Sequence, residues 1–273
     1  MTAIEAIGVV VPAHDEEDLL GACLAALARA AQEARPLVRD ARIWVVLDAC
    51  SDRSEEIARA AGVEIVRVDA CNVGRARAAG VEALTATLAD VPPARLWIGN
   101  TDADSTVPPH WLTDQLRLAD AGADVVIGTV RPDFRDLSPE QSAAWWATHT
   151  PGIANGHVHG ANLGIRASAL LTAGGYAPLA EHEDVDLVER MRRASAVCAA
   201  SDAAWVQTSG RAFGRTDGGY ARYLREDLIA LARQVPASAA ALSDVAASEP
   251  AAPGGSESAA RREVRDRDGA ARA

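Results

Sequence analysis

Apolar residues in the first half of the chain fall in short β-branched runs at residues 7–11, 43–47, 64–68, 96–99 and 124–130. Between the runs they recur at helical spacing, as Leu19, Leu20, Cys23, Leu24 and Leu27 do, which lines one face of a 3.6-residue period. This alternation predicts an α/β fold: a mainly parallel central sheet with helices on both faces. Glu16, Glu17 and Asp18 are expected in the first turn of that first helix, where the helix dipole favours acid. Ligands of such sheets bind outside the carboxyl ends of the strands, so the residues after each run are where chemistry is sought.

From about residue 131 the pattern loosens. Ser138-Pro139-Glu140-Gln141 predicts a capped helix start, and that helix carries Trp145 and Trp146. An edge strand is expected at 158–165, a helix from 183 to about 194, short strands near Val197 and Val206, and a last helix over 220–234. Past residue 236 the chain turns to Ala, Ser, Pro, Gly and Arg with few large apolar residues, so 237–273 is expected to be a disordered tail. No internal repeat is visible, and one domain over 1–236 is the simplest division.

Composition narrows the chemistry. The chain has 273 residues, a formal charge of −11 and no lysine among its basic residues. A Walker A loop and a pyridoxal Schiff base both need lysine, so both are excluded; the Gly-rich loop with lysine of sugar-nucleotide pyrophosphorylases is missing too. Net acid argues against a nucleic-acid partner, since phosphate backbones are held by clustered positive charge. Cys23, Cys50, Cys71 and Cys198 lack Cys-x-x-Cys spacing and read as reduced thiols. No apolar run reaches the roughly 18 residues of a membrane span, and no signal-peptide pattern is visible. The expected compartment is the cytoplasm, including a peripheral place at the membrane surface.

The strongest chemical signal is Thr101-Asp102-Ala103-Asp104, directly after the run at 96–99. Two acids two residues apart at a strand end can share a hard divalent cation such as Mg²⁺ or Mn²⁺, although acids after a strand are also ordinary solvated turn residues. Further motifs stand in order around it: Pro12-Ala13-His14-Asp15-Glu16-Glu17, Asp48-Ala49-Cys50-Ser51-Asp52-Arg53-Ser54, Asn72-Val73-Gly74-Arg75-Ala76-Arg77, Gly160-Ala161-Asn162, Gly174-Gly175-Tyr176 and Glu183-Asp184-Val185-Asp186.

Taken together these motifs resemble family 2 glycosyltransferases of the GT-A, Rossmann-like fold, from about residue 7 to the 211–219 region. The resemblance implies a nucleotide-sugar-binding half over 1–130 and a smaller acceptor half over 131–236. It implies a metal-dependent enzyme, using Mn²⁺ or Mg²⁺, that moves a hexose unit from a nucleoside diphosphate sugar to a hydroxyl-bearing small molecule or lipid, with inversion. A retaining enzyme and a non-catalytic sugar-nucleotide-binding protein are the alternatives.

By the same resemblance Pro12, Ala13, Glu16 and Asp48 hold the nucleotide base and ribose, though Glu16 and Asp48 also read as a helix-start acid and a turn acid. Leu47 stands where the family often has a first acid, and Asp15 replaces a common Asn. Arg77 is assigned to the diphosphate, Asp102 and Asp104 to the metal, and Asp102 through it to the phosphates; Asp104 is the more direct ligand. Gly160, Ala161 and Asn162 are placed under the donor sugar. Asp184 is the expected base, with Glu183 orienting or substituting, although Glu183, Asp184 and Asp186 also suit a helix start. His157 and His159 share a face if extended. Arg211 and Arg215 either close over the diphosphate or lie on the surface, and Trp145 and Trp146 supply an acceptor platform or core.

Overall fold

The structure is a computed structural model and describes residues 3–215 and 218–234; the expected tail lies outside the described residues. The first strand, β1 (Ala6–Ala13), is buried because both its faces are apolar: Ile7, Val9 and Val11 face one core, Ala6 and Val10 the other. There follow α1 (Leu20–Ala34), β2 (Asp40–Asp48), α2 (Ser54–Ala60), β3 (Glu64–Val68), α3 (Val73–Thr87), β4 (Leu96–Asn100), β5 (Ser105–Thr106), α4 (Trp111–Asp120) and β6 (Val125–Pro132). The second half adds α5 (Pro139–Thr148), β7 (Leu163–Arg166), α6 (Ala167–Thr172), α7 (Glu183–Arg193), β8 (Cys198–Thr208), α8 (Gly219–Arg222) and α9 (Leu228–Ala232).

The eight strands form one sheet in the order β3-β2-β1-β4-β7-β6-β8-β5. Pairs β2/β3, β1/β2, β1/β4 and β6/β8 are parallel; β4/β7, β6/β7 and β5/β8 are antiparallel. Helices α1, α2 and α4 cover one face around Leu20, Leu24, Leu27, Trp97, Trp111 and Leu116. Helices α3, α6 and α7 cover the other around Trp44, Leu84, Ile98, Leu163, Leu187 and Met191. Burying each such side chain contributes roughly 1.5–3 kcal/mol. Helix α3 lies close because β1 offers Gly8, where a Cβ would stand 1.9 Å from Leu84 Cδ1. A small third cluster joins Ala144 and Trp145 of α5 to Leu224 and Leu228, and Ser138 and Gln141 form the expected capping box at the start of α5.

Three expectations are corrected. Helix α1 begins at Leu20 with no acid in its first turn; Glu16 lies before it and its carbonyl accepts from Leu19 and Leu20. The segment 158–165 is no edge strand: only Leu163–Arg166 pairs, and it sits mid-sheet between β4 and β6. The two short strands near Val197 and Val206 are one strand, β8, whose irregularity is absorbed by a register shift between Gly128 and Val130.

Candidate active site

The loops after β1 and β4 and the start of α7 bring the acids of three sequence motifs, together with Arg77 of a fourth, into one connected site. Asp102 and Asp104 follow β4. Asp102 Oδ1 accepts from Arg77 Nη2 at 2.5 Å, and the Cys23 thiol donates to the Asp102 carbonyl at 3.4 Å. Asp104 faces Arg211, with Nη2 at 2.9 Å from its Oδ2, and its main chain is tied to the end of β8 through Ser209 N–H. Burial pushes the Asp104 carboxyl up to about 6, with Asp102 adding to the rise, Arg211 opposing it and Glu16 adding again. Two carboxylates two residues apart at a strand end are a donor set that suits a hard divalent cation.

Glu16 is the other partner of Arg211, which grips it with both prongs at 2.7 and 3.0 Å. Arg215 adds a third contact at 3.1 Å and also reaches the Asp15 carbonyl. The two arginines of the 209–215 stretch therefore lie inside the site, against Glu16 and Asp104. Nothing in the sequence could have revealed this pairing, whose members are 195 residues apart.

At the far end, Glu183 and Asp184 open α7 but diverge. Glu183 is buried and its Oε1 accepts from Arg77 Nε at 2.9 Å. Asp184 Oδ2 accepts from Gly160 N–H at 2.5 Å and Oδ1 from Val185 N–H at 2.8 Å. Burial, reinforced by Glu183 and opposed by Arg77, raises the Asp184 carboxyl to about 6. Of the three acids only Asp186 behaves as an ordinary helix residue, pairing with Arg190 one turn on. Arg77 itself is 1% exposed. The expected diphosphate contact at the helix start is in the structure a closed two-carboxylate clamp, because its side chain turns inward under Gly160.

Two further residues are engaged within the protein. Asp48, expected at the nucleotide base, accepts through Oδ1 from Ala70 and Cys71 N–H and through Oδ2 from Asn72 N–H, at 2.7–2.9 Å, and so shapes the turn into α3. Asn162 was expected under the donor sugar, but it is 2% exposed. Its Oδ1 accepts from Trp111 Nε1 and its Nδ2 donates to the Thr129 and Ala204 carbonyls, because the short turn before β7 points its side chain into the sheet. Ala161 is buried beside it, so of the triplet only Gly160 borders the acids. Pro12 and Ala13 end β1 next to the site, and the Ala13 carbonyl accepts from the Cys50 thiol at 3.2 Å.

On the acceptor side Trp145 is core, its Nε1 donating to Tyr220 Oη at 3.2 Å. Trp146 is half-exposed, stacks on Phe134 at 5.1 Å and lines a groove of about 290 Å³ with Trp205 and Arg131. His159 lies beside Tyr220 at 5.8 Å, and burial lowers its imidazole to about 4. Asp202 received no role from the sequence; it accepts from Thr129, Arg131 and Gly152 N–H and so pins the 149–156 loop to β6 and β8. No helix among the described residues is long and apolar enough to cross a membrane.

The sequence matches the family described as Glycosyl transferase family 2 over residues 8–168. A Haloferax volcanii protein named dolichyl-phosphate hexose transferase is 29% identical over 165 residues, which are 59% of this chain and 65% of that protein. Among solved structures, S. aureus TarS 1–349 aligns with a TM-score of 0.54 and 13% identity over 75% of this chain and 60% of that one. The same protein in complex with UDP-GlcNAc aligns with a TM-score of 0.55 and 16% identity over 88% and 69%. The chain thus spans 60–69% of the length of these three matched chains, and the structural likeness is one of fold, the GT-A arrangement of sheet and helices.

Proposed function

Because the chain belongs to glycosyl transferase family 2, we propose that it transfers a hexose unit from a nucleoside diphosphate sugar to a hydroxyl-bearing acceptor, with divalent cation and with inversion. The observation that carries the reading is that Arg77 bridges Asp102, of the Asp102-Ala103-Asp104 turn, to Glu183, of the Glu183-Asp184 pair, so that two motifs far apart in sequence are joined by one guanidinium. The end of β1, Pro12 and Ala13, together with Glu16, borders the base and ribose. Asp104 and Asp102 are the residues that would hold Mg²⁺ or Mn²⁺, and the cation would supply neutralisation of the charge on the departing diphosphate. Gly160 leaves room under the donor sugar.

Asp184 takes the proton of the acceptor hydroxyl as that oxygen attacks the anomeric carbon. A base raised to about 6 is ionised at neutral pH yet close enough to it to accept a proton effectively, a role worth roughly 10²–10⁴-fold in rate. Glu183, locked on Arg77, is not free to do the same. The acceptor is a small molecule or a lipid met at the membrane surface, and the halves 1–130 and 131–236 serve donor and acceptor respectively. Asp48 and Asn162 support the site from behind.

The test is a thermal-shift panel of nucleoside diphosphates with and without Mn²⁺, followed by hydrolysis of UDP- and GDP-hexoses. A ligand at one hundred times its Kd stabilises the native state by about 2.7 kcal/mol. A melt unmoved by every nucleotide, with no donor turned over, would remove the proposal; binding without turnover would leave a sugar-nucleotide-binding protein.

A further inference from the structure

Arg77 stands early in α3, sealed from water, so its charge has to be compensated inside the protein. The compensation comes from two directions. Nη2 donates to Asp102 on the loop after β4, and Nε donates to Glu183 on the first turn of α7. Nη1 is buried with no hydrogen-bond partner among the described residues. Gly160 closes the remaining side: a Cβ there would stand 2.3 Å from Nη2 and 2.9 Å from Cζ. The same Gly160 supplies the N–H that holds Asp184. The N-terminus of α3 is docked onto the approach to α7 as well, through Gly74 N–H to the Leu179 carbonyl at 3.1 Å and Asn72 Nδ2 to the Pro178 carbonyl at 3.3 Å.

We infer that Arg77 is a positioning residue: it sets the Asp184 carboxylate through Glu183 and Gly160 while gripping Asp102, so that the cation loop and the base are held as one unit. This rests on the reading of Asp184 as the base. A guanidinium meant for a diphosphate would lie open to it, whereas this one is enclosed by Asp102, Glu183 and Gly160. The planar fork matters, because a lysine ammonium on a thinner stem cannot serve two carboxylates in fixed directions. The groups that face Asp184 are Glu183 beside it, Arg77 from α3, Asp102 from the loop after β4 and the Tyr176 hydroxyl. Arg77 is the one cation among them, so moving it weakens the pull toward the ionised base.

Two variants of the full chain test this. Arg77→Lys keeps the charge and loses the fork; Gly160→Ala pushes the guanidinium aside without changing any charge. For each, the Asp184 carboxyl is titrated by ¹³C NMR, UDP and GDP affinities are measured with Mn²⁺, and turnover is followed against pH. The expected result in both is an Asp184 midpoint moved upward, an acidic limb of turnover moved with it and a turnover loss of at least tenfold, together with weaker Mn²⁺-dependent nucleotide binding as Asp102 loses its hold. Nucleotide affinity reduced tenfold with an unmoved Asp184 midpoint would overturn the inference in favour of a diphosphate contact. A lower melting temperature with midpoint and turnover unchanged would overturn it in favour of a purely structural arginine. If wild type binds no nucleoside diphosphate, the proposed function fails, and the NMR titration still decides what Arg77 does to Asp184.

Discussion

Replacing Asp184 with Asn should make the protein more stable and its catalysis far slower, and the size of the first effect follows from the structure. The folded carboxyl stands at about 6 against 3.8 in an unperturbed chain. A raised carboxylate means the folded state binds the proton more tightly than the unfolded one. Stability is therefore full below 3.8 and is lost as pH rises through about 6. At about 1.4 kcal/mol for each pH unit of difference, keeping Asp184 ionised costs roughly 3 kcal/mol at pH 8. An amide avoids that cost, gives up the charge-assisted character of the Gly160 N–H contact, and should net about 1–2 kcal/mol. For a domain of this size that is roughly 2–4 °C per kcal/mol. Metal-free wild type and Asp184→Asn would be melted side by side from pH 4 to pH 8, with turnover measured at neutral pH. The variant should match wild type near pH 4, gain progressively between about pH 4 and pH 6, hold that gain above pH 6, and lose turnover by roughly 10²–10⁴-fold. A variant less stable than wild type at pH 8, or one whose gain ignores pH, would refute the reasoning; near-wild-type turnover would move the base elsewhere.

Asn162→Ala strips a buried carboxamide from Trp111 Nε1 and from two carbonyls, so stability should fall by about 3 kcal/mol while calorimetry at low temperature finds nucleotide affinity unchanged; a selective loss of affinity would return Asn162 to the donor sugar. Arg211→Gln should tighten Mn²⁺ binding in the absence of nucleotide, because the guanidinium competes with the cation for Asp104 Oδ2, and weaker Mn²⁺ binding in calorimetry would show that Arg211 supports the cation site instead.

The donor-side strands were legible because they are short continuous apolar runs, as strands covered on both faces are, and loops with strand-end acids separate them. The runs at 7–11, 43–47, 64–68 and 96–99 lie within β1 to β4. β7 was misplaced because the expected strand, 158–165, overlaps it only at its end and stops short of Arg166. In the fold Arg166 is buried by donating to the Ala94, Ala119 and Ala123 carbonyls and to Asp124, a set of partners no local pattern announces. β8 was divided because Ser201 and Asp202 interrupt its apolar residues, yet Asp202 is buried by Thr129, Arg131 and Gly152. At the site, motif spacing located the acids but could not say which polar atoms were already taken. Asp48 and Asn162 are saturated by local and cross-sheet partners, and the hold of Arg211 on Glu16 depends on a return of the chain that only the folded molecule contains.

The central claim is that the acids after β4 hold a cation that in turn holds a nucleoside diphosphate. Titrating UDP and GDP into wild type and Asp104→Ala by calorimetry, with and without Mn²⁺, tests it most directly. The account predicts that at least one nucleotide binds wild type in a Mn²⁺-dependent way and that Asp104→Ala loses at least tenfold of that affinity. Equal, metal-independent affinity in both proteins would contradict it.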